Sequence, residues 1–319
     1  MTYRKIIGFG GSSFVVSLPK EWINKYGLKK GDVVNIEEES DMLRILPKDF
    51  KTKKNESFIT IKFQNINTLK SQLIYSYLGN YNTINIVGDS LINNLSQIRE
   101  TVQGLVALEI IQQTSDKIIL KDFLNIYDIN VYDIIRRIDR IILSMAEESL
   151  IMLKVEGDYL ESIEQKEIDI NRLSNLVFKV LKRCFNPVDK KILGLTLDEV
   201  FYYWELVLFM EKFADQVKRL PRHFKTLNKD QSIIEIYNEL IDNYKLMMKA
   251  HFTKDIELVT ESISKKPIMF KKCDEAADRL SKIYIPTLEK LRLMNTHIGD
   301  MGKVLLKLNY QAGVESTNK

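Results

Sequence analysis

Few places in this 319-residue chain bring together residue types that could do chemistry. The first is its opening stretch, where Gly10, Gly11, Ser12 and Ser13 run into the apolar segment "FVVSL", which Pro19 stops. Backbone N–H groups of a Gly-Ser loop and the hydroxyls of Ser12 and Ser13 suit phosphate oxygens. Arg4, Lys5, Lys20 and Lys25 add the counterion-releasing charge that double-stranded DNA rewards. The local charge balance agrees: residues 1–30 carry six Lys/Arg against Glu21, whereas residues 31–50 carry two against six acids. A small unit with one positive end is a candidate for phosphate binding. From spacing alone a second reading stays open, in which Gly10 and Gly11 make a plain hairpin turn and the lysines are solvated.

A second constellation is acidic. In "MEKFADQ", Glu211 and Asp215 stand four apart, on one helical face and beside the apolar seam of Met210 and Ala214. Glu167 with Asn171, and Asp274 with Asp278, repeat the spacing. Carboxylates aligned at a bundle core can ligate a divalent or iron-type cation if a facing helix supplies further oxygens. Glu167, Glu211, Asp215, Asp274 and Asp278 are therefore the candidate metal ligands. The competing reading is that such pairs arise by chance in charge-rich helices and face water.

Other motifs point away from catalysis. There is no Ser/His/Asp or Cys/His arrangement, no phosphate-binding P-loop and no Glu-x-x-His step, so an enzyme is not expected. Cys184 and Cys273 lack a CxxC partner and read as small core residues. The aromatic run "VFYYWELVLF" at 200–209 has the spacing of a buried helix face rather than of a base-stacking platform, and "KRLPRHFK" at 218–225 reads as a solvated loop. Hydrophobic residues at 45% and charged residues at 28% are values of a globular protein, and no apolar run is long enough to span a membrane. With no secretory leader visible in "MTYRKIIGFG", the expected location is the cytoplasm, without membrane insertion.

These residues need elements to hold them. Residues 1–50 read as short strands and turns: "RKII", the glycine loop, "FVVSL", a short helix "KEWINKYG" between Pro19 and Gly27, then a hairpin of "GDVVNIEEE" and "MLRIL". So few short strands cannot bury enough apolar surface alone, and without a disulfide or metal the segment is expected to dimerise. "DFKTKKNE" at 49–56 suits a linker. Residues 57–126 alternate as β-α-β-α-β-β, a small α/β module with a hairpin turning at Ser115 and Asp116.

From residue 129 long helical seams take over. Ile134, Ile138, Ile141 and Met145 form one, and Ile170, Leu173, Val177, Val180 and Cys184 another. Breaks near Gly157, "NPVDKKILGLT" and "LPRHFKTLNKD" leave three long helices in 129–222, and three more fill 230–312, with Pro267 expected to kink or break the second of these. The echo between "EIDINRL" at 167–173 and "DEAADRL" at 274–280 favours a duplicated bundle. The expected fold is thus multidomain and mostly α: a small β barrel of swapped hairpins, an α/β module, and two tandem three-helix bundles.

The stretch "YRKIIGFGGSSFVVSLPKEWINKYGLKKGDVVNIEEESDMLRILP" resembles the AbrB/SpoVT/MazE family of swapped-hairpin DNA-binding domains over nearly all of residues 3–47. The resemblance rests on Arg4-Lys5, the Gly11-Ser12-Ser13 turn, the "VVSLPKEW" step, "YGLKKGD" and "VVNI". It implies a homodimer whose interleaved hairpins form one barrel and present basic residues to DNA; where some members have an arginine pair in the short helix, this chain has Ile23 and Asn24. The helical part resembles the PhoU family of tandem three-helix bundles with acidic metal-binding pairs, "EKFADQ" being the nearest fit, although Asn171, Arg292 and Thr296 stand where acids are usual. Together the two resemblances imply an archaeal-type regulator of phosphate uptake. An adaptor acting on a phosphate transporter or signalling complex, with little DNA binding, is the alternative. An antitoxin-like role would need a toxin-binding tail in place of the long helical body.

Overall fold

The computed structural model describes residues 3–11, 13–39, 42–48, 57–89, 91–155, 157–224, 227 and 229–315. The chain divides into two units, residues 1–56 and 57–319. The expected linker at 49–56 lies outside the described residues.

In the first unit β1 (Ile7–Phe9) pairs antiparallel with β2 (Ser13–Val15). Phe9 faces Ser13 across a three-residue loop that Gly10 opens at φ +70, a left-handed conformation that glycine adopts without penalty. Pro19, which lacks an N–H that would go unused there, precedes α1 (Lys20–Lys25), and Gly27 at φ +63 turns the chain after it. A second antiparallel hairpin joins β3 (Val34–Glu39) to β4 (Met42–Pro47). Within one chain the described strands of this unit form two separate two-stranded sheets; the expected barrel is one that two chains would build together. Among the described residues of this unit Pro47 alone is buried.

The second unit opens with the expected α/β module. Strands β5 (Phe58–Lys62) and β6 (Thr83–Val87) run parallel, joined by α2 (Ile66–Leu78); α3 (Leu95–Gln103) leads to the hairpin of β7 (Leu108–Gln113) and β8 (Lys117–Asp122). The sheet order is β5-β6-β8-β7, with a bulge between Ile110 and Gln112. Alternate residues Ile84 and Ile86, and Ile118 and Leu120, point to one face and pack with Leu69, Leu73, Ile98 and Val102 from the two helices.

Among the described residues seven α-helices follow: α4 (Val131–Lys154), α5 (Leu160–Arg183), α6 (Pro187–Leu193), α7 (Leu197–Phe224), α8 (Gln231–Thr253), α9 (Ile256–Arg279) and α10 (Ile285–Glu315). Asn130, Asn186, Asp230 and Asp255 start α4, α6, α8 and α9, each side-chain oxygen accepting from backbone N–H groups of the first turn. Three expectations need correction. The segment "NPVDKKILGLT" is no simple break but the short α6, closed by Gly194 at φ +66. Residues 218–224 of the expected loop are the last turns of α7, with Leu220, Pro221 and Phe224 buried. Pro267 does not break α9. The α4 seam is also offset: Ile135, Ile138, Ile142 and Met145 are buried, whereas Ile134 and Ile141 are only half-buried.

α4, α5 and α7 pack together, as do α8, α9 and α10, but α7 also lies along α10 and α4 along α8. One continuous core therefore runs through both helix sets. The module is bolted to it by Lys179 of α5, whose fully buried ammonium lies 2.9 Å from Asp122, donates to the Tyr77 carbonyl at 2.8 Å and sits 4.1 Å from the centre of the Tyr77 ring.

Candidate functional site

The cationic side chains of the first unit stand on short, exposed elements. Arg4 and Lys5 precede β1, Ser13 begins β2, and Lys20 and Lys25 occupy the two ends of α1, all solvent-exposed. Ser12 lies outside the described residues. None of Arg4, Lys5, Lys20 or Lys25 forms an ion pair among the described residues; the Lys25 ammonium instead lies 5.5 Å from the centre of the Tyr26 ring, which leans on Trp22 at 5.3 Å. Their charge is thus available to a polyanion. The structure does not join these groups by direct contacts; what they share is exposure.

The same unit carries its apolar residues outward. Ile6, Ile7, Phe9, Phe14, Val33, Ile36 and Leu43 are all exposed, Phe14 to 79% and Phe9 to 73%. Burying one such side chain is worth about 1.5–3 kcal/mol, and a patch this large on so small a unit marks an association surface.

The acidic candidates lie elsewhere. Glu211, on α7 and half-buried, has its carboxyl pushed up to about 7, chiefly by burial and then by the charges of Asp215 and Glu167. The fold therefore does bring Glu167 of α5 near the α7 pair. Two of the three carboxylates already hold partners: Glu167 is 2.9 Å from Lys218 and accepts from Asn171 at 2.8 Å, and Asp215 is 2.7 Å from Arg219. In α9, Asp274 is exposed and bound at 2.6 Å by Arg292, which also holds Glu289 at 2.7 Å, while Asp278 is exposed. Among the described residues no three His, Cys, Asp or Glu side chains gather closely enough to hold a metal ion. The guanidinium of Arg292 occupies Asp274, one carboxylate of the α9 pair.

A third cluster escaped the sequence reading. At the start of α4 the Arg136 guanidinium lies 5.2 Å from the Tyr132 ring centre and 5.0 Å from that of Phe252 at the end of α8, and it donates to the Tyr132 hydroxyl at 3.0 Å. Behind them His251 is buried and hydrogen-bonded to Tyr202 through Nδ1, while its Nε2 has no partner among the described residues. The imidazole pKa is lowered to about 4 by burial and then by the charges of Lys254 and Arg136. Tyr132 and Arg136, four apart, were the only signal in the sequence; Phe252 and His251 lie too far along the chain to be associated with them by spacing.

No described helix is long and apolar enough to cross a membrane. No curated protein and no solved structure is found to match the chain. A family model does match: MazE_antitoxin, described as antidote-toxin recognition MazE, bacterial antitoxin, over residues 9–53. That stretch contains β2, α1 and the β3–β4 hairpin, takes in only Phe9 of β1, and begins after Arg4 and Lys5. The similarity covers a small part of the chain, and it places a MazE/AbrB-like domain, of the DNA-binding and dimerising type, at the N-terminal end.

Proposed function

We propose that the chain is a dimeric DNA-binding transcriptional regulator of phosphate uptake, whose PhoU-like helical body acts as its sensor or partner-binding part. The observation that carries the DNA-binding half is the first unit itself, a MazE/AbrB-like segment in which Arg4, Lys5, Lys20 and Lys25 form no ion pair among the described residues and whose apolar side chains lie open to a second copy. Pairing two copies would bury those side chains and set two sets of Arg4, Lys5, Lys20 and Lys25 along one duplex, with affinity arising mainly from phosphate contacts. The phosphate-uptake role rests on the kinship read in the sequence of the helical body, and a metal at Glu167, Glu211 and Asp215 would have to displace Lys218 and Arg219.

The test is fluorescence anisotropy of the full chain on labelled duplexes over a range of salt. Replacing Arg4 and Lys5 by alanine is expected to weaken binding to every sequence and to lower the salt slope by about one unit per lost phosphate contact. An unchanged slope removes this surface from the reading. Mapping the genomic DNA bound at high and low phosphate tests the regulatory half, and recovery without enrichment beside phosphate-transport genes would refute it.

A second reading, the adaptor, is favoured by one observation. Around α6, Phe185, Ile192, Leu197 and Phe201 are exposed, with Phe185 and Phe201 in edge contact at 6.1 Å and Lys182 and Lys191 beside them in sequence. Loss of transporter or signalling partners on Phe201→Ser, with DNA binding intact, would favour the adaptor.

A further inference from the structure

Most arginines of the later helices hold a carboxylate: Arg183 with Asp189, Arg219 with Asp215, Arg222 with Glu164, Arg279 with Asp230, Arg292 with Asp274. The first turns of α4 break this habit. Arg136 and Arg140 are exposed there and form no ion pair among the described residues, and neither does Lys254, just beyond α8. The two aromatic rings and the Tyr132 hydroxyl hold the Arg136 guanidinium in place, which leaves most of its N–H donors without an acceptor. The buried Asp139 carboxylate feels the charges of Arg136 and Arg140 but forms no ion pair with either among the described residues, and its pKa is raised by burial, so a cation preorganised in this way is suited to an incoming oxyanion.

The same tyrosine forms a wall of a cavity of about 240 Å³, whose other walls include Tyr127, Val131, Ile192, Leu193 and Tyr203. Two polar groups stand among these surfaces. The Asn130 side chain spends its oxygen on the Tyr132 and Asp133 N–H groups, so its own N–H donors make no bond among the described residues, and neither does the Tyr203 hydroxyl. Tyrosine faces with a few fixed donors suit a flat heteroaromatic ring better than a sugar or an alkyl chain. Tyr132 and Tyr203 both lean on His251, at 6.0 and 6.3 Å between ring centres. No carboxylate acts on that imidazole; the charges that reach it, Lys254 and Arg136, are both positive.

We propose that this region is a mononucleotide site, with Arg136 and Lys254 receiving the phosphate and the tyrosine-lined cavity receiving the base. It is independent of the DNA-binding reading, since every residue in it belongs to the second unit. A bound phosphate would offset the two positive charges acting on His251, so the imidazole would become easier to protonate.

Isothermal titration calorimetry on the full chain tests this with three probes: adenosine 5′-monophosphate, adenosine and inorganic phosphate. Saturable binding of the nucleotide, with both fragments weaker, is expected. Arg136→Gln should weaken nucleotide binding about tenfold to a hundredfold. Lys254→Asn, a side chain that tolerates the left-handed backbone at φ 54, should weaken it less and leave the fold intact. Tyr203→Leu should weaken the nucleotide but not phosphate. In proton NMR the His251 ring should titrate at higher pH with nucleotide bound. Absence of saturable nucleotide binding, nucleotide and phosphate binding equally, or binding indifferent to Arg136→Gln and Lys254→Asn would each overturn the proposal.

Discussion

Glu211 shows how a single side chain can be recognised correctly and its surroundings missed. The four-residue steps from Glu211 to Asp215 and from Asp215 to Arg219 are plain in the sequence; that Glu167 comes to the same place, and that Lys218 holds it, depends on how α5 meets α7. Its raised pKa has a defined consequence for stability. Between the ordinary value of 4.5 and about 7 the folded state keeps a proton that the unfolded chain has released, so the contribution of Glu211 is present at low pH and is lost as pH rises through that window. Glu211→Gln is expected to stabilise the protein at pH 8 by an amount on the order of 1–3 kcal/mol relative to the native chain, with the difference shrinking below pH 4.5. Chemical denaturation at several pH values measures it, and equal stability at both ends would show that the carboxyl is not perturbed. Lys179 marks the opposite limit of legibility. Nothing around it in the sequence says that a lysine should be buried, because Asp122 and Tyr77, which make burial tolerable, come from the α/β module.

At the scale of elements, helix periodicity and end signals read well and prolines read badly. The caps of α4 and α8 and the buried seam of α5 follow from local sequence alone, whereas in α4 the spacing is met equally by Ile134 with Ile141 and by Ile135 with Ile142, and only packing separates them. α6 was there to be found: Asn186, Pro187 and Gly194 are an N-cap, a first-turn proline and a left-handed stop. Pro267 is expected to kink or break α9, but it is exposed and the helix is gripped just before it. Asn243 of α8 donates to the Ser262 carbonyl at 3.3 Å, and Asn295 of α10 donates to the Lys266 carbonyl at 2.8 Å. Both asparagines are buried, so their bonds are costly to forgo, and together they fix the turns of α9 that lead into Pro267. Pro267→Ala should therefore raise the melting temperature, by restoring a donor to the Ile263 carbonyl worth about 1–3 kcal/mol in a helix interior. A lower melting temperature would mean that the bend at Pro267 is itself needed for packing.

For the whole molecule, the class of each part was readable and its stability was not. The mostly helical body, the small α/β module and the MazE/AbrB-like start were each legible, because turn residues, strand alternation and helical seams are local signals. That two helix sets share one core is a property of contacts between α7 and α10 and between α4 and α8, which periodicity does not encode. The exposed apolar residues of the first unit make the strongest prediction at this scale. Phe14→Ser and Ile36→Ser should turn the dimer into monomer in sedimentation velocity and abolish DNA binding, while the circular dichroism of the helical body stays as it was. A dimer that survives both changes would place the association surface elsewhere.

A head that acquires its interior only by meeting its double also counts molecules. Because such a fold obeys mass action, scarce protein would carry finished bodies and unfinished heads, and occupancy of a promoter would climb with roughly the square of dosage rather than in proportion to it. Copy number would then itself set how much of the DNA-binding form exists.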